Sequence, residues 1–290
     1  MSVARAPMVA RSSFTARGHR LAYTEFGEGK RWVLLMPGLL IPALMQERLA
    51  MALASGGAHV LALDPLGHGR SDRPDDMAEY SIESFAGDAI ALLDHLDIDE
   101  AVIGGTSLGA NVTLEVARKA PRRVRGIIIE MPVLENAMVA SVIAFGPLLV
   151  ALHFGGRLMR PVAAALRRIP RRLVPFWGNV ALDVVRQDPV PSAALLKGLF
   201  FSHIAPHGAQ RREMTMPALV IGHHIDPVHP FSDAGVLTGD LPNARLVEAS
   251  NILELRLRPD RLTAEISAFV AECWSPRAVA KLRRQRRHTA

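Results

Sequence analysis

A serine lies between two glycines in Gly105-Thr106-Ser107-Leu108-Gly109, after the apolar run Ala101-Val102-Ile103-Gly104 and ahead of a stretch with helical spacing. The order strand, Gly-x-Ser-x-Gly, helix is that of a nucleophile elbow, a sharp turn that pushes the serine hydroxyl out of a sheet. Glycines suit the flanking positions because no Cβ fits where the turn folds back on strand and helix. The pentapeptide alone would also describe a surface turn; the strand before it and the helix after it favour Ser107 as a nucleophile. A second concentration of chemistry follows Ala218–Gly222, where His223, His224, Asp226 and His229 gather. Three histidines and a carboxylate could suggest a metal set. On one short loop, however, they lack the spacing over separate elements that ligand sets use, and neither a metal nor a cofactor is expected.

The elements that would position these residues alternate. Ser13 to Phe26 reads as two short strands around Gly18-His19, followed by buried strands at Trp32–Met36 and His59–Leu63, with helical spacing from Ala43 to Ala54 between them. A helix begins at Ser81 and runs to about Leu96, Ala101–Gly104 is the strand before the elbow, and Gly126–Glu130, Ala218–Gly222 and Ala244–Glu248 are further strands. Pro259 to Trp274 closes the series with Leu262, Ile266, Phe269, Val270 and Cys273 on one helical face. Strands that alternate with helices and are buried on both faces predict an α/β fold with a mostly parallel sheet, whose sites lie at the carboxyl ends of the strands. Ser107, Leu39, Glu130 and Asp226 all fall at such ends. Residues 131–210 break the alternation. Their apolar and arginine-rich pieces, punctuated by Pro161, Pro170, Pro175, Pro189 and Pro191, predict a helical cap over a core made of residues 1–130 and 211–276, with 277–290 as a basic tail.

The chain has 290 residues, 49% of them hydrophobic, enough for a full core. Its single cysteine, Cys273, forbids an intrachain disulfide and fits a reducing, cytoplasmic compartment; its place on an apolar helical face makes it a core residue. The first twenty residues carry Arg5, Arg11, Arg17 and Arg20 without an apolar block, unlike a secretory signal. Asn136 to Gly156 is uncharged and long enough to cross a bilayer, but Gly146, Pro147, Gly155 and Gly156 interrupt or bound it, so a buried cap helix or lipophilic wall is the expectation. The net charge of +6 is concentrated in residues 277–290, which hold six basic residues and no acid. Arg157, Arg160, Arg167, Arg168, Arg171 and Arg172 form a second cluster. Both read first as solvated faces; weak contact with an anionic membrane through cap or tail is the alternative, and no nucleic acid is expected.

Leu35-Met36-Pro37-Gly38-Leu39, Asp64-Pro65-Leu66-Gly67-His68-Gly69-Arg70-Ser71, the elbow, and Asp226-Pro227-Val228-His229-Pro230 together resemble the α/β-hydrolase fold superfamily over nearly the whole chain, in its capped esterase, lipase and peroxidase-like branch. The resemblance implies that Ser107 is the nucleophile, that the amides of Leu39 and Leu108 form the oxyanion hole, and that Asp226 is the triad acid, with Glu130 the alternative. Two fixed backbone donors suit a transition state that builds negative charge on one oxygen, each worth about 3 to 4 kcal/mol. Many members carry histidine where this chain has Pro37; the following amide remains available.

The family's histidine normally lies in the loop after the last strand, here Ala249-Ser250-Asn251-Ile252-Leu253-Glu254, and no histidine occurs between His229 and His288. A serine without a base is a poor nucleophile. His229, three residues beyond the acid, is the candidate substitute, followed by His224; His68 reads as structural, and His153, His203 and His207 belong to the cap. The expectation is a serine hydrolase acting on a carboxylic ester or thioester with a lipophilic acyl group, a small-molecule substrate. Its competitors are a catalytically altered protein that binds a small hydrophobic ligand or a partner, and a lyase or isomerase using the oxyanion hole alone.

Overall fold

The computed structural model describes residues 8–170, 173–174, 178, 182–183 and 186–276. The basic tail, Arg5, Arg171, Arg172 and Pro175 lie outside them.

Eight strands form one sheet: β1 (Val9–Ala16), β2 (His19–Phe26), β3 (Trp32–Met36), β4 (His59–Asp64), β5 (Ala101–Thr106), β6 (Val124–Glu130), β7 (Ala218–Ile225) and β8 (Ala244–Asn251), in the order β1-β2-β4-β3-β5-β6-β7-β8. The β1–β2 and β2–β4 pairs are antiparallel, and every pair from β4 to β8 is parallel. The apolar runs in β3 to β6 are the central, doubly covered strands, as runs without polar alternation require. One helical layer contains α1 (Glu47–Ser55) and α9 (Asp260–Cys273), the other α2 (Ile82–His95) and α3 (Leu108–Lys119). Ser81 caps α2 by accepting the Ser84 N–H at 3.0 Å. Cys273 is fully buried in the layer under α9, and burial pushes its thiol up to about 12, as the core assignment anticipates.

Parallel strands send their following loops to one edge of the sheet, and there the chain converges. The loop after β3 brings Leu39, β5 ends one residue before Ser107, and β7 ends one residue before Asp226. Cross-ties fix the strand ends: Ser107 N–H donates to the Glu130 carbonyl at 2.8 Å, and Gly109 N–H to the Pro37 carbonyl at 3.0 Å.

Residues between β6 and β7 contribute α4 (Ala137–Arg167), α5 (Pro189–Phe200) and α6 (Gly208–Arg212). The sequence predicted breaks at Gly146-Pro147 and Pro161, but α4 runs through both prolines. A proline removes a single helical hydrogen bond, which a long helix packed along one side tolerates. Pro189 and Pro191 instead fall in the first turn of α5, where missing N–H groups cost little, and Asp188 caps that turn through Val190 N–H at 3.1 Å. Nor is α4 buried on all sides. Phe145, Leu148, Leu149 and Leu152 pack against Ala193 and Leu196 of α5, while Val139, Ile143, Val150 and Phe154 are exposed.

Candidate active site

The turn at Ser107 is formed as its sequence requires. Ser107 has φ 54° and ψ −111°, a conformation unfavourable for a residue with a side chain, at the junction of β5 and α3. A Cβ on Gly105 would run into the backbone of Gly109, and one on Gly109 into the Met36 carbonyl. The two glycines therefore permit the crossing that aims the serine outward.

Ser107 Oγ lies 2.8 Å from His229 Nε2, and His229 Nδ1 lies 2.8 Å from Asp226 Oδ2. A carboxylate can only accept, so Nδ1 carries the proton and Nε2 presents its lone pair to the serine O–H. The other Asp226 oxygen accepts the backbone N–H groups of Val228 and His229, each at 2.9 Å. One carboxylate thus closes the tight turn that Pro227 begins and orients the imidazole. Burial pushes the Asp226 carboxyl up, but His229 and the two amides outweigh it and hold it below the usual carboxylate range. The arrangement can carry a proton from Ser107 to an imidazole whose cation faces an ionised acid.

Leu39 and Leu108 line the same cavity as Ser107 and His229. Leu108 is the first residue of α3, where no intrahelical acceptor exists for its N–H. On the opposite side, Leu40 adopts φ 61° and its N–H donates to His68 Nε2 at 3.0 Å, while His68 Nδ1 donates to the Leu66 carbonyl at 3.0 Å. His68 is therefore structural and neutral: it braces the loop that carries Leu39. Its complete burial pushes it down to about 4. The unfolded chain takes up this proton near its ordinary value of 6.5, so folding stability should fall as pH drops from about 6.5 to about 4, by roughly 3 kcal/mol in all. Urea melts of wild type and His68→Gln at pH 7 and pH 4.5 should show a shallower acid loss in the variant; parallel losses would refute the assignment.

Apart from Asn111 and Ser141 the rest of the cavity is apolar, with Ile82, Val133, Phe145, Leu196, Phe200 and Val228 among its lining residues. Asn111, one turn after Ser107, donates to the carbonyls of Val133 and Ile204 at 2.7 and 2.9 Å. Asp233, in the first turn of α7 (Phe231–Asp240), accepts the N–H groups of Leu134 and Ala137 at 2.8 and 3.1 Å. These two side chains anchor the start and return of the 131–210 segment. The spacing Ser107 to Asn111 was the one sequence signal for the first of them.

Glu130, the alternative acid, points elsewhere. Its carboxylate binds Thr106 Oγ1 and Arg256 Nη2, the latter at 2.7 Å, and lies 3.4 Å from His223 Nε2. Burial raises this carboxyl, but Arg256 and His223 more than reverse that and bring it to about 2. His223 donates through Nδ1 to the Asn251 carbonyl at 2.7 Å; burial lowers its pKa, and the contact with Glu130 raises it to a net value above the ordinary one. Arg256 belongs to the short helix α8 (Glu254–Leu257), directly after the loop in which a family histidine was expected. His224, the second substitute, is exposed, bonds Glu248 at 3.0 Å and stacks on Phe231. His153 meets Lys197 at 2.8 Å, and the His203 and His207 rings lie 4.7 Å apart. Of the histidines considered as bases, His229 is the one hydrogen-bonded to Ser107. Among the described residues no group of three or more His, Cys, Asp or Glu is arranged to hold a metal ion.

Residues 31–251 match the model of the alpha/beta hydrolase fold family, and the chain belongs to that family. Among curated proteins it is 26% identical over 250 residues to 3-oxoadipate enol-lactonase 2 of Acinetobacter baylyi, a match covering 83% of this chain and 90% of that protein. It is 34% identical over 110 residues to bifunctional epoxide hydrolase 2 of Sus scrofa, covering 38% of this chain and 20% of that one. Against the first of the curated relatives, the match spans only 20 to 40% of their length. The crystal structure of an enol-lactonase from Burkholderia xenovorans superposes with a TM-score of 0.72 at 22% identity, covering 90% of this chain and all of that one, a likeness of fold.

Proposed function

We propose that the protein is a serine hydrolase acting on a carboxylic ester or thioester with a lipophilic acyl group. The reading rests on one observation above all: the unbroken 2.8 Å contacts from Ser107 to His229 and from His229 to Asp226.

In this reading Ser107 Oγ attacks the acyl carbonyl as His229 Nε2 takes its proton, and Asp226 supports the imidazolium. The charge that develops on the carbonyl oxygen is met by the Leu39 and Leu108 amides. His229 then protonates the leaving alcohol or thiol, and water repeats the sequence on the acyl-enzyme to release the acid and restore Ser107. The apolar walls contributed by α4 and α5 suit a hydrophobic acyl chain and act as the cap, excluding water from the intermediate.

A fluorophosphonate probe should label the folded wild-type chain at Ser107 and leave Ser107→Ala unlabelled, with peptide mapping to locate the adduct. A folded wild-type protein that takes no label would end the serine-hydrolase reading and return the cavity to a ligand-binding role.

A further inference from the structure

The outer face of α4 has no counterpart in the reading above. At 100° per residue, Val139, Ile143, Val150 and Phe154 fall within an arc of about 60°, opposite the face that packs on α5. They are 69%, 70%, 56% and 82% exposed. A helix apolar on both sides is ordinarily enclosed; this one is enclosed on one side. The stretch Ala137–Gly155 is long and apolar enough to cross a membrane, yet only Ala137 and Leu152 within it are buried. Between Glu135 and Asp183 the sequence holds six arginines and no acid. Of the described ones, Arg168 is exposed, Arg160 bridges to Asp188 at 3.1 Å, and Arg167 donates to the Arg186 carbonyl at 2.8 Å. Asp75 and Asp76 line a groove together with His153, Phe154 and Lys197.

We propose that the outer face of α4 is an interfacial docking surface for an anionic lipid bilayer, with Val139, Ile143, Val150 and Phe154 entering the headgroup boundary and the exposed Arg168, on the same face at the C-terminal end of the helix, meeting lipid phosphates. Charge selects this occupant: an acid-free, arginine-rich segment attracts an anionic leaflet and repels a second copy of itself. The helix lies on the bilayer without crossing it, because Phe145, Leu148 and Leu152 are committed to the core on its other side. Phe145 and Ser141 also line the Ser107 cavity, so the lipid boundary would stand about one helix diameter, ~10 Å, from the acyl site. Substrate taken from the membrane is the corollary, and that corollary alone rests on the hydrolase reading.

The test is co-sedimentation of the full chain with phosphatidylcholine vesicles with and without phosphatidylglycerol. Wild type should bind the anionic vesicles, Ile143→Glu/Phe154→Glu should bind them at least about tenfold more weakly, and Arg168→Gln should weaken the preference for phosphatidylglycerol. Replacing Arg283, Arg284, Arg286 and Arg287 by glutamine should leave binding intact, as should Ser107→Ala. Hydrolysis of a soluble short-chain ester should be unchanged in Ile143→Glu/Phe154→Glu, which separates failure of docking from failure of catalysis. The proposal is overturned if wild type ignores anionic vesicles, if the glutamate pair binds like wild type, if the tail substitutions abolish binding, or if sedimentation equilibrium shows a wild-type dimer that the glutamate pair dissociates.

Discussion

Replacing His229 by alanine should lower kcat on an activated ester on the order of a million-fold, the scale lost when the base of a serine protease is removed. The thermal midpoint should barely move, because the imidazole lines the cavity and its ring bonds Ser107 and Asp226. His224→Ala should leave kcat within a few-fold of wild type, since that ring bonds Glu248. Asp226→Asn separates the two duties of the acid. It can still accept from the turn amides, but it favours the wrong histidine tautomer and should cost about ten thousand-fold. Steady-state kinetics with matched thermal melts provide the measurement. A His229→Ala enzyme that retains wild-type kcat would show that the 2.8 Å contact is not functional.

The Arg256→Met variant should be destabilised by about 3 to 5 kcal/mol, with a fall in Tm of roughly 10 °C. The change leaves the Glu130 carboxylate, 3% exposed, without its principal cation. His223 remains 3.4 Å away and limits the loss without replacing a direct guanidinium bond. Because Thr106 Oγ1 also binds this carboxylate and immediately precedes Ser107, the damage should reach the elbow. Adding Glu130→Leu to Arg256→Met should recover part of the stability, because it removes the buried charge. Urea denaturation of the two single variants and the double would measure the coupling. An Arg256→Met protein as stable as wild type would refute the account.

Much of the scaffold was legible because its signals are local. A glycine-flanked serine between a buried run and a helix permits few backbone paths, and β3 to β6 are continuous apolar runs with little ambiguity of period. Ser81 announced the start of α2 and the spacing of Leu262, Ile266 and Phe269 its counterpart at the chain end. The strands β7 and β8 run to Ile225 and Asn251, past where their apolar runs stop, because His223 through Ile225 pair with Ala249 through Asn251. Tertiary pairing lengthened what hydropathy cut short. Pro147 and Pro161 misled for a related reason: a proline's local cost is small beside the packing of Phe145, Leu148 and Leu152 along one side of α4. The Glu130–Arg256 contact joins residues 126 apart and leaves no trace in spacing. His229 was open to view through its closeness to Asp226, yet only the folded sheet brings it to a serine 122 residues earlier.

That closeness bears on how the site loses order. Asp226 and His229 are held by a four-residue turn, so their mutual geometry needs no help from the sheet edge where β8 and α9 pack. Opening of that edge, a sub-global event of lower free energy than global unfolding, would carry off a histidine placed after β8 each time it occurred. Here the same event leaves the aspartate and the imidazole paired and stretches only the long-range contact to Ser107. The pairing of aspartate and imidazole is thus local to one turn, while its reach to Ser107 depends on β7, which pairs with β6 on one side and β8 on the other.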